Sequence, residues 1–310
     1  GLAASVWSQN LDTAFDAARR LKAGVVWINS TNLFDAAIPF GGYKESGFGR
    51  EGGREGMHEY LVPGWLKKAK PAAVSKPLPA ATPLDADEDR ADRAPALDRT
   101  VKLYIGGKQA RPDSGYSYPV HDHAGKFVTE APLGNRKDIR NAVEAAHKAD
   151  GWSGMTGHGR AQVLYFLAEN LELRAAEFAR RLVQATGASA AKAGREVEAT
   201  VARVMSYAAW ADKYDGAARA PQGRMLSVVL NEPWDVMAIS CPDEAPLLSF
   251  VSLVAPAIAL GNRVVVTPSP RQPLAALDLY QVFDTSDVPG GTVNIVTGDR
   301  DQLAGVLAKH

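Results

Sequence analysis

Four stretches hold groups arranged so that they could bind a ligand or react. Residues 29–60, NSTNLFDAAIPFGGYKESGFGREGGREGMHEY, are dense in glycine, and consecutive backbone amides in such loops can cradle an anion. A phosphate loop needs G-x-x-x-x-G-K-[ST]. Gly42 and Gly47 have the spacing, but Phe48 and Gly49 follow, which excludes that loop. His121, Asp122 and His123 stand together in a turn-rich run; two imidazoles are too few ligands for a metal, and none is expected. Cys241 is the one cysteine of the chain, so no internal disulfide forms and a reducing compartment is expected. Residues 231–277 read as a nucleotide-binding unit, yet no G-x-G-x-x-G follows the first apolar run, so the ordinary dinucleotide fingerprint is absent.

That last stretch shows which elements must position the rest. Val236 to Ser240 is a short apolar strand, and residues 247–260 are an apolar run of helical length. Gly261 and Asn262 stop the helix, because glycine and then asparagine best tolerate a left-handed C-cap. Arg263 to Thr267 is β-branched and short, the pattern of a strand buried on both faces. Pro268 ends it, and Pro273 suits the first turn of a further helix. Strand, helix, strand, helix predicts α/β architecture with a doubly wound parallel sheet and right-handed crossovers.

Elsewhere the pattern predicts a strand over residues 3–8 and a helix over 12–23 with Leu11, Phe15, Ala18 and Leu21 near one face. A second strand is predicted over 25–29. Short strands with a hairpin are predicted after residue 100, then helices over 135–149, 159–185 and 196–214. Leu164, Leu167, Leu171, Phe178 and Leu182 form a core stripe, and Met205, Tyr207, Trp210 and Tyr214 read as core. Cys241 reads as a small buried hydrophobe.

Between residues 65 and 99 proline, alanine and charge dominate without a period, which predicts a linker and a domain boundary. The chain has 310 residues and a formal net charge of zero, with a pI of about 7.2 and a mean hydropathy of −0.17. That balance gives no electrostatic footprint for nucleic acid or an anionic membrane. No apolar stretch is long enough for a bilayer span, and no signal peptide precedes the first strand. A cytoplasmic protein is expected. The opening at Gly1 without methionine predicts a piece of a longer protein.

Two motifs carry a family resemblance. Asn29, Phe34, Pro39, Phe40, Gly41, Gly42, Lys44, Ser46, Gly47, Gly49, Arg50, Glu51, Gly53, Gly56 and Tyr60 match the C-terminal signature of aldehyde dehydrogenases, N-x-x-x-x-F-x-x-x-x-P-F-G-G-x-K-x-S-G-x-G-R-E-x-G-x-x-G-x-x-x-Y. Glu232-Pro233, Pro242, Pro246, Gly261-Asn262, Pro268 and Pro273 fall in register with the same family's R-E-P-V-G-V-V-x-x-I-x-P-W-N-F-P and A-G-N-x-V-V-x-K-P-x-E-x-T-P. The resemblance implies that Phe34 and Phe40 line the aldehyde tunnel and that Lys44, Arg50 and Glu51 fasten the glycine loop. In the second motif the frame is kept and the functional letters are not. Glu244 stands where the family has the asparagine of its oxyanion site, and an ionised carboxylate can only accept. Thr267 stands where a lysine reaches the cofactor ribose, and Pro270 where a glutamate accepts from it.

The order of these motifs resembles the tandem-module family 16 aldehyde dehydrogenases. Residues 1–64 would then end a first module, 65–99 link, and 100–310 begin a second, degenerate one. The expected fold is that of the family in pieces, with β-hairpin oligomerisation elements and a homo-oligomeric parent. The resemblance implies NAD(P)-dependent oxidation of an aldehyde to a carboxylic acid, in which a thiolate attacks the aldehyde and a glutamate activates water. The G-Q-x-C and E-x-G-G contexts of those two groups occur nowhere here, so the chain alone is expected to be inactive and residues 100–310 to hold no NAD or NADP. The alternative is a parent without catalysis, whose modules serve as a scaffold or self-association platform.

Overall fold

The computed structural model describes residues 1–64, 66–68, 77–83, 101–214, 216–221 and 225–310. The linker expected over 65–99 thus lies largely outside the described residues.

The first elements along the chain are β1 (Ala3–Val6), α1 (Leu11–Arg20), β2 (Val25–Ile28), β3 (Phe40–Gly41), β4 (Arg50–Glu51) and α2 (Gly53–Met57). Next come β5 (Thr82–Pro83), β6 (Leu103–Ile105), β7 (Lys108–Ala110), β8 (Tyr116–His121) and β9 (Phe127–Pro132). A helical stretch follows, with α3 (Arg136–Lys148), α4 (Gly151–Gly154), α5 (Gly157–Leu173), α6 (Ala175–Thr186) and α7 (Ala190–Trp210). The hairpin β10 (Gly216–Arg219) and β11 (Ser227–Leu230) precedes β12 (Val236–Ser240), α8 (Pro246–Ala259), β13 (Arg263–Thr267), α9 (Leu274–Asp284), β14 (Val293–Ile295) and α10 (Arg300–Leu307).

The chain divides into two compact units, one of residues 1–73 with 216–231 and the other of residues 74–215 with 232–310. In the first, β1 pairs in parallel with β2, and α1 is the crossover between them. Asn10 caps α1 by accepting from the Thr13 amide at 2.9 Å. The helix stops at Arg20, short of the expected residue 23, because Leu21 is already extended. Ala14 is its buried residue, whereas Leu11, Phe15 and Leu21 are exposed. The expected apolar face is therefore uncovered. The hairpin β10–β11 belongs to this unit, and Arg219 on β10 donates to Glu55 Oε1 at 2.5 Å.

The second unit is built on a five-stranded sheet of order β12-β13-β14-β6-β7. β12, β13 and β14 run parallel, while β6 joins β14 antiparallel and brings β7 as a hairpin partner. The sheet is thus mixed where a parallel one was expected: the β6–β7 hairpin docks on the β14 edge. Side chains alternate across β13. Val264 and Val266 face the large core with α5 to α9, and Val265 faces a smaller core with Ile139, Ala142 and Val143 of α3 and Leu303 of α10. Helices therefore cover both faces, which explains why β13 is buried at every position.

Most predicted boundaries hold within a residue or two, and three readings change. The expected helix over 159–185 is two helices, broken at Arg174, whose guanidinium turns to Glu177 at 2.8 and 2.9 Å. α7 begins earlier than expected, where Ser189 caps it by accepting from the Lys192 amide. Trp210 and Tyr214 are each 57% exposed, not core, because Trp210 lies away from the face of α7 that buries Val204, Ala208 and Ala211, and Tyr214 lies beyond the end of the helix. The stripe from Leu164 to Leu182 is buried as predicted. Trp152 is buried and donates its indole N–H to Ile258 O at 2.9 Å, tying α4 to α8. Among the described residues no helix is long and apolar enough to cross a membrane.

Candidate functional site

The glycine-rich segment of the first unit is shaped by close backbone approaches. A Cβ on Gly24 would meet Gly41 O at 1.8 Å, so β2 can pass the loop only as glycine. Arg50 donates from Nη1 to the carbonyls of Gly42, Phe48 and Gly49 at 2.8, 3.1 and 3.0 Å. One guanidinium thereby fastens both arms of the loop. Ser46 Oγ accepts from the Tyr43 amide and donates to the Tyr43 carbonyl, both at 2.8 Å. The Glu55 carboxyl, paired with Arg219, is held below its ordinary range, chiefly by that hydrogen bond.

Beside the loop the rings of Phe34 and Phe40 meet edge to face at 5.1 Å, and Trp27 meets Phe34 at 5.6 Å. Trp27 Nε1 donates to Leu33 O at 3.0 Å, which fixes the turn that carries Phe34. Phe40 is half-buried and Phe34 is 61% exposed, so the cluster presents an open aromatic face.

In the second unit the candidate residues lie at the carboxyl ends of the parallel strands, where open α/β sheets bind ligands. Thr267 ends β13 and is buried; its hydroxyl donates back to Ile239 O at 3.3 Å. Pro270 is buried in the loop beyond, and Glu244 is exposed in the loop after β12. Cys241 is buried, as expected; burial pushes its thiol up to about 12, against a smaller downward pull from Arg300. Such a thiol is not a nucleophile at neutral pH.

Four residues that sequence reasoning did not single out complete this edge. Asp243, after β12, accepts from Ser269 Oγ at 2.8 Å and pairs with the Arg300 guanidinium. Ser269, after β13, accepts in turn from the Gln272 amide at 3.2 Å. Arg300 opens α10, after β14. Three successive strand ends are thus joined by one carboxylate. Glu196 on α7 accepts from the amides of Leu247 and Leu248 at 3.2 and 3.3 Å, which caps α8 where its own N-cap residue, Ala245, offers no side-chain bond. The available signal was opposite charge, Asp243 and Arg300, at the carboxyl ends of β12 and β14, the two strands that flank β13.

The histidine stretch does other work. His123 Nδ1 lies 3.3 Å from Gln184 O, His121 packs edge-on against Phe127, and Asp122 closes its turn by accepting from the amides of Ala124 and Lys126 at 2.9 Å. Among the described residues no group of three or more His, Cys, Asp and Glu could hold a metal ion.

A mixed sheet with three parallel strands and helices on both faces defines a protein of the α/β class. The aldehyde dehydrogenase family profile matches residues 1–65 and 111–310. Hydroxyisobutyraldehyde dehydrogenase of Mycolicibacterium austroafricanum is 34% identical over 229 residues, 73% of this chain and 44% of that protein. Among solved structures, an NAD-dependent aldehyde dehydrogenase from Sinorhizobium meliloti is 28% identical with a TM-score of 0.65, covering 68% of this chain and 43% of that one. A mutant form of aldehyde dehydrogenase from Bacillus cereus is 26% identical with a TM-score of 0.67, covering 69% and 45%. The chain belongs to the aldehyde dehydrogenase family. It spans less than half the length of these relatives.

Proposed function

We propose that the chain is part of an NAD(P)-dependent aldehyde dehydrogenase of the tandem, family 16 type. In this reading residues 1–64 end one module, 65–99 link, and 100–310 begin a second module that binds no cofactor. The observation that carries it is a contrast within one family match. Trp27, Phe34 and Phe40 keep an apolar aromatic face beside an intact glycine loop, whereas Glu244, Thr267 and Pro270 offer an anion, a hydroxyl committed to the sheet and no polar side chain.

The substrate of the whole protein is a small-molecule aldehyde, oxidised to its carboxylic acid, with Phe34 and Phe40 walling the aldehyde's path. The nucleophilic cysteine and general-base glutamate lie outside this chain. NAD or NADP, bound by that catalytic part, takes the hydride. At the strand ends of residues 100–310 the groups do not fit a dinucleotide. Glu244 repels phosphate, and the amides of the first turn of α8, a ready anion site in nucleotide folds, are already taken by Glu196. We assign the whole protein to the cytoplasm and to a homo-oligomer.

The test is aldehyde-dependent NAD(P) reduction by the whole protein. Phe34→Ala raises the KM for an aromatic aldehyde by about 10-fold, the low end of what one methylene is worth in a pocket, with a loss of stability no larger than about 1 kcal/mol. An unaltered KM removes Phe34 from the aldehyde's path. No oxidation of any aldehyde favours the scaffold reading.

A further inference from the structure

Loss of donors leaves a nucleotide site weak; it does not by itself leave it closed. At the carboxyl ends of β12, β13 and β14 the chain does more than lose donors. Asp243 pairs with Arg300 and accepts from Ser269, so loops from three adjacent strands meet over the edge where a nucleotide would lie. The Asp243 side chain is 35% exposed and that of Arg300 is 18% exposed, so the pair sits at the rim and not in the core. Among the described residues Arg300 Nε is buried with no hydrogen-bond partner.

We propose that Arg300, Asp243 and Ser269 form an internal latch that shuts the strand-end edge of residues 100–310, occupying with the chain's own charges the place a nucleotide would take. The proposal rests on the reading of this segment as cofactor-free and says how that state is held. The guanidinium supplies the cation and the carboxylate supplies the anion. Cys241 stands two residues before Asp243, packs into the large core and is 2% exposed. One consequence is that replacing Thr267 and Pro270 by lysine and glutamate does not by itself recreate a nucleotide site.

Cys241, the chain's one cysteine, gives the test a clean reporter. The rate of its alkylation by iodoacetamide is measured in the 310-residue chain and in Asp243→Ala/Arg300→Ala, with urea unfolding followed in parallel. The expected result is a rise of at least about 10-fold in rate at a little-changed unfolding midpoint, as local opening replaces protection. The sign is informative. Arg300 lowers the Cys241 thiol, so a purely electrostatic role predicts slower alkylation once it is lost. An unchanged or slower rate in the folded double variant overturns the latch. If that variant shows no cooperative transition, Arg300→Lys keeps the charge but loses the planar fork; a rise of about 3-fold is expected, and no rise overturns the proposal. NAD+ titration of the unmodified chain separates the two ideas. Tight binding overturns the cofactor-free reading, whatever the alkylation rates show.

Discussion

The glycine-rich segment around Phe34 and the strand-end edge around Asp243 descend from one family pattern and have been treated in opposite ways. In the first, the motif survives to the letter, and its side chains do what the letters require. Arg50 gathers three carbonyls, Gly24 and Gly41 let backbones touch, and Phe34 and Phe40 stand edge to face. In the second, the prolines and the glycine that shape the backbone stand in the family register, and our proposal is that the polar positions between them no longer serve a cofactor. Gly261 still takes the left-handed φ of +88° that ends α8. Thr267 turns its hydroxyl inward and Asp243 binds Arg300.

Three substitutions probe this contrast. The largest effect belongs to the packed sheet unit. Phe250 on α8 is fully buried, and Phe250→Ala is expected to destabilise that unit by about 3–5 kcal/mol, read as a shift in the urea midpoint. Phe34→Ala removes an exposed ring and one edge-to-face contact on each side, and is expected to cost about 1 kcal/mol. A cost as large as that of Phe250 would make Phe34 a core residue and not a tunnel wall. Arg219→Met is the smallest, below about 1 kcal/mol for a pair near the surface, and it carries a pH signature. A carboxyl depressed in the folded state adds stability above its unfolded value, here near 4.5, and loses it as pH falls through the lower folded value. The unmodified first unit should therefore lose stability in that acid window, and Arg219→Met should lose less. Equal acid sensitivity in both would remove the Arg219–Glu55 tie.

Much of this was legible in the sequence, for physical reasons that differ by element. β12 and β13 fall on the residues predicted, because short apolar strands bounded by proline and glycine have few alternatives. α8 and its Gly261 stop were equally legible. What the sequence did not disclose depended on tertiary partners. The docking of β6 on β14 needs a free sheet edge, and the exposure of Trp210 depends on which face of α7 meets the core. The candidate positions Glu244, Thr267 and Pro270 could be named from the motif alone. Asp243, Ser269, Arg300 and Glu196 could not, since their meaning lies in pairings 26, 51 and 57 residues apart.

Calorimetric titration of the 310-residue chain with NAD+ and with NADP+ bears hardest on the cofactor-free reading of residues 100–310. No saturable heat is expected up to about 1 mM, a limit of roughly −4 kcal/mol on any binding. Saturable binding at micromolar concentration, abolished by substitution of Thr267 or Ser269, would contradict it.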